Sequence, residues 1–246
     1  MNTARAPDAA GSMAVYAGRP VALLTCHGKQ AQLAPVLEPA LGCRIVHTDG
    51  YDTDRLGTFT RDVPREGTQL ETARRKARIG MQLVGTSVGV ASEGVFGVDP
   101  VFGMISWNVE LLVWIDDRLG IEVCGRAAAR ARFASRRVAS WAEAECFAEQ
   151  SGFPAHGFVV RPDSVSDPRI RKEVATFALL RDAFEEAMVM SADGYVVLEV
   201  DARAHRNPTR QAVIADAARD LAQRLASPCP RCRVPGFALT HRERGL

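Results

Sequence analysis

Residues 20–29 read Pro-Val-Ala-Leu-Leu-Thr-Cys-His-Gly-Lys, a short apolar run that breaks into a small Gly-containing loop. An apolar run of this length bounded by turn formers predicts a buried strand, and the chain beyond Lys29 predicts a helix to about Leu41, interrupted by Pro35 and Pro39. The same alternation continues outward. Cys43–His47 predicts a second strand, Thr58–Arg61 an edge strand, Thr68–Val84 a helix and Ser87–Ala91 a strand. Ser106–Ile115 and Ile121–Ala127 read as a hairpin around Asp116–Gly120, and Ser140–Ser151 as a helix capped by Ser140. Beyond these, Gly157–Arg161 and Tyr195–Val200 predict strands and Lys172–Met190 a helix; Asn207-Pro208 opens a last helix to about Leu225. Strands alternating with helices predict an α/β fold, a mixed twisted sheet with helices on both faces. The expected division is a disordered leader over 1–18, an α/β domain over 19–155, an α/β extension packed on it over 156–226, and a short Cys-containing tail over 227–246.

Composition excludes several classes. In a chain of 246 residues, 47% hydrophobic and 24% charged residues exclude wholesale disorder. The longest apolar runs, such as Val109–Ile115, are broken by Glu110 and are far too short to span a bilayer, so no membrane partner is expected. Six cysteines, four of them scattered singly, do not make a disulfide framework and fit a reducing cytoplasm. Net charge is +2, yet Ala202–Leu246 holds nine Arg against Asp216, Asp220 and Glu243, a local +6. That segment is either a solvated helix face or a phosphate- or nucleic-acid-binding one. Three of the 31 basic residues are Lys: Lys29, Lys76 and Lys172. Lysine kept against such an Arg bias points to positions that need a compact ammonium.

Three stretches carry candidate chemistry. The strand-loop-helix around Thr25, His27, Gly28 and Lys29 aims backbone N–H groups and one ammonium outward, and reads either as an ordinary βα turn or as a phosphate cradle without the Walker glycines. Thr68 and Glu71 have the spacing of a capping box, which accounts for both without a ligand but leaves Lys76 unexplained. Ser92-Glu93-Gly94 puts an acid at the carboxyl end of a strand, where ligands of open α/β sheets gather. Outside these stretches Asp201, Arg203, Asn207 and Arg210 cluster at a strand end and helix start; Asn207 reads as a cap, and the two arginines are candidates for phosphate or base contacts.

In order and spacing the three stretches resemble the inosine/xanthosine triphosphate pyrophosphatases, which clear non-standard purine nucleotides. Thr25, His27 and Lys29 stand at that family's first motif, with His in place of Asn. Thr68, Glu71, Ala73, Lys76 and Ala77 match its helix motif, with Thr72 in place of Asn, and Glu93-Gly94 stands near its acidic turn. The resemblance covers roughly residues 20–130. The whole chain is also similar to an uncharacterised bacterial family of unknown function, through HGK (27–29), GYDTDRLGTFTR (50–61), GTQLETAR (67–74), ASEGVFG (91–97), SGFPAHGFVVRP (151–162), NPTR (207–210) and CPRCRVPGF (229–237).

The first resemblance implies Mg-dependent hydrolysis of a non-standard nucleoside triphosphate to monophosphate and pyrophosphate, in a homodimer. Lys29 and Lys76 would bind phosphates, Glu71 and Glu93 would hold Mg, and His27 would position phosphate or base, with Thr25, Gly28, Ser92, Arg203, Asn207 and Arg210 lining the substrate. The alternative is a non-catalytic nucleotide- or nucleic-acid-binding protein. The second resemblance implies a zinc-ribbon remnant at Cys229 and Cys232; two thiolates do not close a tetrahedral Zn site, so His241 or a partner chain would have to complete it, and the segment after Ala226 is expected to be mobile.

Overall fold

The computed structural model describes residues 15–60, 63–99, 101 and 103–238. Two sheets organise them. The first has the order β2-β1-β3-β4-β5, from β1 (Pro20–Leu24), β2 (Arg44–Thr48), β3 (Val88–Val98), β4 (Ser106–Asp116) and β5 (Ile121–Arg130). β2, β1 and β3 run parallel, and β4 and β5 continue the sheet antiparallel. Strand periodicity sorts its side chains. Val21, Leu23, Leu112 and Trp114 point to one face, where α1 (Gln30–Leu41) packs through Leu33, Leu37 and Leu41. Ala22, Ala91, Leu111, Val113 and Ile115 point to the other, against Ala73, Ala77 and Met81 of α2 (Gln69–Val84). Helices on both faces of a mixed sheet are thus present. Pro35 and Pro39 lie inside α1 without ending it. They are four residues apart on its exposed side, where carbonyls deprived of an N–H partner meet water.

The second sheet, β6-β9-β7-β8, is antiparallel throughout: β6 (Ser135–Val138), β7 (Phe158–Pro162), β8 (Arg171–Val174) and β9 (Val196–Val200). α3 (Trp141–Gln150) and α4 (Phe177–Met190) cover one face through a core of Phe147, Phe158, Leu180, Val196 and Leu198. α5 (Pro208–Leu225) then leaves this layer and returns to the first sheet, packing Ile214, Ala217 and Leu221 beside α1. The sheets therefore divide the chain differently from the sequence expectation. The second layer begins near Ser135 rather than 156, and the last helix belongs to the first layer.

Four local expectations need correction. β8 occupies the start of the stretch read as helix Lys172–Met190; Thr176, whose hydroxyl accepts from the Leu179 N–H at 3.2 Å, starts the helix later. Thr58–Thr60 is a turn closed by Thr58 N–H to Val63 O, 2.9 Å, rather than an edge strand, and Arg61 lies outside the described residues. The leader over 1–18 lies outside the described residues up to Ala14, but Tyr16 is fully buried, edge-on to Trp114 at 5.0 Å. The described part of the tail, to 238, is packed where mobility was expected: Pro228 bridges Pro235, and a Cβ on Gly236 would lie 2.4 Å from Val123. No helix among the described residues is long and apolar enough to cross a membrane.

The α5–β5 contact tests this arrangement. A Cβ on Gly125 would stand 2.5 Å from Leu221 Cβ and 2.6 Å from the backbone oxygen of Ala217. Gly125→Ala should force helix and sheet apart and destabilise the chain by about 1–3 kcal/mol. A lower urea midpoint with an unchanged slope is the expected result.

Candidate functional site

Parallel pairing of Leu23 with Val90 sets Thr25 level with Ser92, so the loop after β1 faces the middle of β3. Lys29, at the start of α1, reaches across and donates from Nζ to Ser92 O at 2.7 Å. Lys76 arrives from α2 and donates to Glu93 Oε2 at 2.5 Å, while Arg65 Nη2 holds Glu93 Oε1 at 2.7 Å. From the other side, α5 brings Arg210, whose Nε donates to Glu110 Oε1 at 2.7 Å and Nη1 to Ala202 O at 2.7 Å. Its Nη2 is buried and has no hydrogen-bond partner among the described residues. Gly94 is required by that pair, because a Cβ there would lie 2.3 Å from Glu110 Oε1 and 2.6 Å from Arg210 Nη2.

His27, Lys29, Asp54, Lys76, Glu93, Arg203 and Arg210 line one cleft, with Phe59 over it. Its free volume is about 20 Å³, room for roughly one water molecule. Beyond Phe59 lies a pocket of about 460 Å³ walled by Phe59, Phe96, Phe133, Val63 and Pro64. Arg210 stacks on the Phe59 ring at 4.2 Å and Arg65 at 5.4 Å.

Charge states follow from burial and neighbours. Burial, with Arg210 alongside, pushes the Lys29 ammonium down to about 7. Burial and the adjoining Lys29 push His27 down to about 3, so its 3.6 Å approach to Asp54 is not an ion pair. The neutral ring lies parallel to His205, with centroids 5.2 Å apart. Burial works to raise Glu93, but Lys76, Lys29 and Arg65 outweigh it and keep the carboxyl ionised. Likewise Glu173 is held down to about 2 against the effect of its burial, by hydrogen bonds from Arg206 and His205 and by the charge of Arg203.

The structure brings together most of the residues that the sequence singled out. Thr25 and Gly28 shape the loop, the Thr25 hydroxyl accepting from His27 N–H at 3.2 Å and Gly28 turning at φ 68°. Ser92 donates to Glu110 at 3.2 Å. Arg203 is paired with Asp201 and Glu173 and still faces the cleft. Two residues do not join. Glu71 is exposed on the first turn of α2, its carboxylate accepting from Thr68 N–H at 2.7 Å, so the capping box describes it fully. Asn207 caps α5 and donates to Arg132 O and Asp201 O, which leaves it no capacity for a ligand. Sequence reading missed Arg65, Phe59, His205 and Glu110; Glu110 had a signal, a charge inside an otherwise apolar strand.

The two carboxylates expected to hold magnesium are not brought together in the cleft. Glu71 is elsewhere, both Glu93 oxygens are held by cations, and no group of three His, Cys, Asp or Glu suited to a metal occurs among the described residues. Cys229 and Cys232 sit in a tight turn away from the cleft, with Cys229 N–H bonded to Val234 O at 2.8 Å. They provide two zinc donors, and His241 lies outside the described residues.

The model of the domain of unknown function DUF6671 matches residues 76–246. The chain belongs to the DUF6671 family. No curated protein matches it. The DUF6671 match includes Lys76, Glu93, Glu110, Arg203 and Arg210, whereas the Lys29 loop precedes it.

Lys29 makes a pH test of this DUF6671 cleft. In the unfolded chain the amine keeps its proton to about 10.5, and in the fold only to about 7. The burial penalty is therefore fully present below pH 7 and is relieved as pH rises through that window. Relative to Lys29→Met, the parent should gain on the order of 2 kcal/mol of stability between pH 7 and pH 9 in urea unfolding. Parallel pH curves would mean an ordinary lysine.

Proposed function

We propose that this chain binds the triphosphate of a non-standard nucleoside triphosphate in the cleft and hydrolyses it to monophosphate and pyrophosphate. The observation that carries the reading is the partnerless Nη2 of buried Arg210, lining a cleft with Lys29, Lys76 and Arg203. A buried donor without an acceptor costs free energy, and an anion entering the cleft supplies the acceptor. Phosphoryl transfer needs little else than positioning and positive charge around the equatorial oxygens. The pocket beyond Phe59 has the size and aromatic walls for a nucleobase, whereas the cleft itself holds only a water. Binding therefore requires Phe59 to swing aside.

Phosphate oxygens would compete with Glu93 for Lys76 and Arg65. Once released, the ionised Glu93 carboxylate can orient the attacking water and accept its proton. Magnesium enters this reading as part of the Mg–nucleotide substrate, since the chain's own carboxylates do not assemble a site for it.

Pyrophosphate release from ITP, XTP, dITP and the standard triphosphates, each with Mg²⁺, tests the proposal. Turnover should fall at least about 100-fold in Glu93→Gln and Lys76→Met and stay near parental in Glu71→Gln. Release from no nucleotide, with binding retained, would leave the non-catalytic binding reading in its place.

A further inference from the structure

Phe133 has a depression on each side. One is the aromatic pocket; the other is an open groove of about 670 Å³ between the end of β5, the β3–β4 turn and the first turn of α5. Arg130, Arg132, Gln150 and Thr209 supply its polar lining, and Met104 and Ile105 its apolar rim. Arg130 and Arg132 are two residues apart on extended chain, and both are exposed. Neither guanidinium has a carboxylate or hydrogen-bond partner among the described residues, although Arg65, Arg203 and Arg210 nearby all do. No Asp or Glu lines the groove. Met104, 83% exposed, adds an apolar edge to the groove beside the two arginines.

A mononucleotide would occupy the cleft and the aromatic pocket and leave this groove unused. Cations, then aromatic rings, then cations again, joined through Phe59 and Phe133, is the order of surfaces that a single strand of nucleic acid uses, with phosphates on the charges and bases on the rings. We propose that the groove carries the continuation of a single-stranded nucleic acid whose 5′-triphosphate lies in the cleft. The inference rests on the nucleotide reading of the cleft and deepens it from a free nucleotide to a strand end. The chemistry is unchanged and balanced: water adds to the α-phosphorus, the bond from that phosphorus to the bridging α–β oxygen breaks, and pyrophosphate leaves with the bonding pair. The strand keeps a 5′-monophosphate, and the water's proton is taken up by Glu93 and then by solvent.

Fluorescence anisotropy with a 3′-labelled, 5′-triphosphorylated tetranucleotide, read beside competition by Mg–ITP, tests this over a salt series. The strand should bind at least about tenfold tighter than ITP, and the double variant Arg130→Ala/Arg132→Ala should remove that advantage. Its log affinity against log salt should also become shallower by about 1.4, the loss of two single-strand phosphate contacts. ITP affinity and melting temperature should stay parental in the double variant, since both side chains are exposed. A strand that binds no tighter than ITP, or an unchanged salt slope, overturns the groove assignment and leaves the mononucleotide reading standing. Strand binding that needs the two arginines, without pyrophosphate release from either ligand, supports the groove and overturns hydrolysis. Failure of both ligands to bind overturns both, and so does preference for a polyglutamate peptide over the strand.

Discussion

The ion pair between Glu110 and Arg210 joins residues 100 positions apart, at 2.7 Å, with both side chains almost wholly excluded from solvent. Burying two such charges costs several kcal/mol each before they attract one another, so the pair is tolerable only if its remaining hydrogen-bonding capacity is met. Glu110 meets it with Ser92 and Asn108, and Arg210 with Ala202 O and the Phe59 ring. These partners come from β3, β4, the link after β9 and the loop above the cleft. One interaction thus fixes where α5 lands after the chain has built its second sheet, and what stands above it. Among the described residues Arg210 keeps one donor, Nη2, unmatched, the imbalance on which the proposed anion binding rests.

In the proposed reading the charges around Glu93 suit anions. Glu93 is ionised, but its two oxygens are already shared between Lys76 and Arg65, with Lys29 close enough to help hold its proton off. A divalent cation approaching Glu93 would meet these positive groups first. A phosphate would meet them as ligands. Lys29 shows the cost on the other side: an ammonium beside Arg210 in a dry site is stable as a cation only up to about neutrality. In the proposed reading, negative charge brought near Lys29 would offset that repulsion.

Elements whose burial follows a simple period were legible in the sequence. The hairpin of β4 and β5, the Asn207-Pro208 start of α5 and the Thr68 cap of α2 are local patterns, decided by residues near in the chain. Lys29, Lys76 and Glu93 were legible because scarce lysines and a strand-end acid are local signals as well. What could not be read depends on long-range packing. Nothing near Ser135 announces a new sheet, since β6 pairs with β9 some sixty residues later. Arg65 and Phe59 sit in a loop whose composition looks like any turn-rich stretch. Glu71 had a sufficient explanation as a capping residue from the start, and the family pattern drew it into the site against that simpler physics.

The loop above the cleft is anchored to both sheets, which bears on how a ligand gets in. Buried Arg161, on β7, donates to Thr60 O, and Arg65 binds Glu93 and Gly94 O on β3. Ahead of both anchors Gly57 adopts φ 112°, and a Cβ there would stand 2.6 Å from Arg65 Cα, so the chain passes itself at a point only glycine allows. Of the two anchors, Arg161 is buried with Glu199 and costly to detach, while Arg65 is partly exposed and can exchange Glu93 for water or phosphate. Releasing Arg65 loosens Phe59 from above Arg210 and, in the same step, returns an oxygen of Glu93 to the cleft. In the proposed reading, access for the ligand and freedom for the carboxylate would then be one event, since a phosphate taking Arg65 would bring about both.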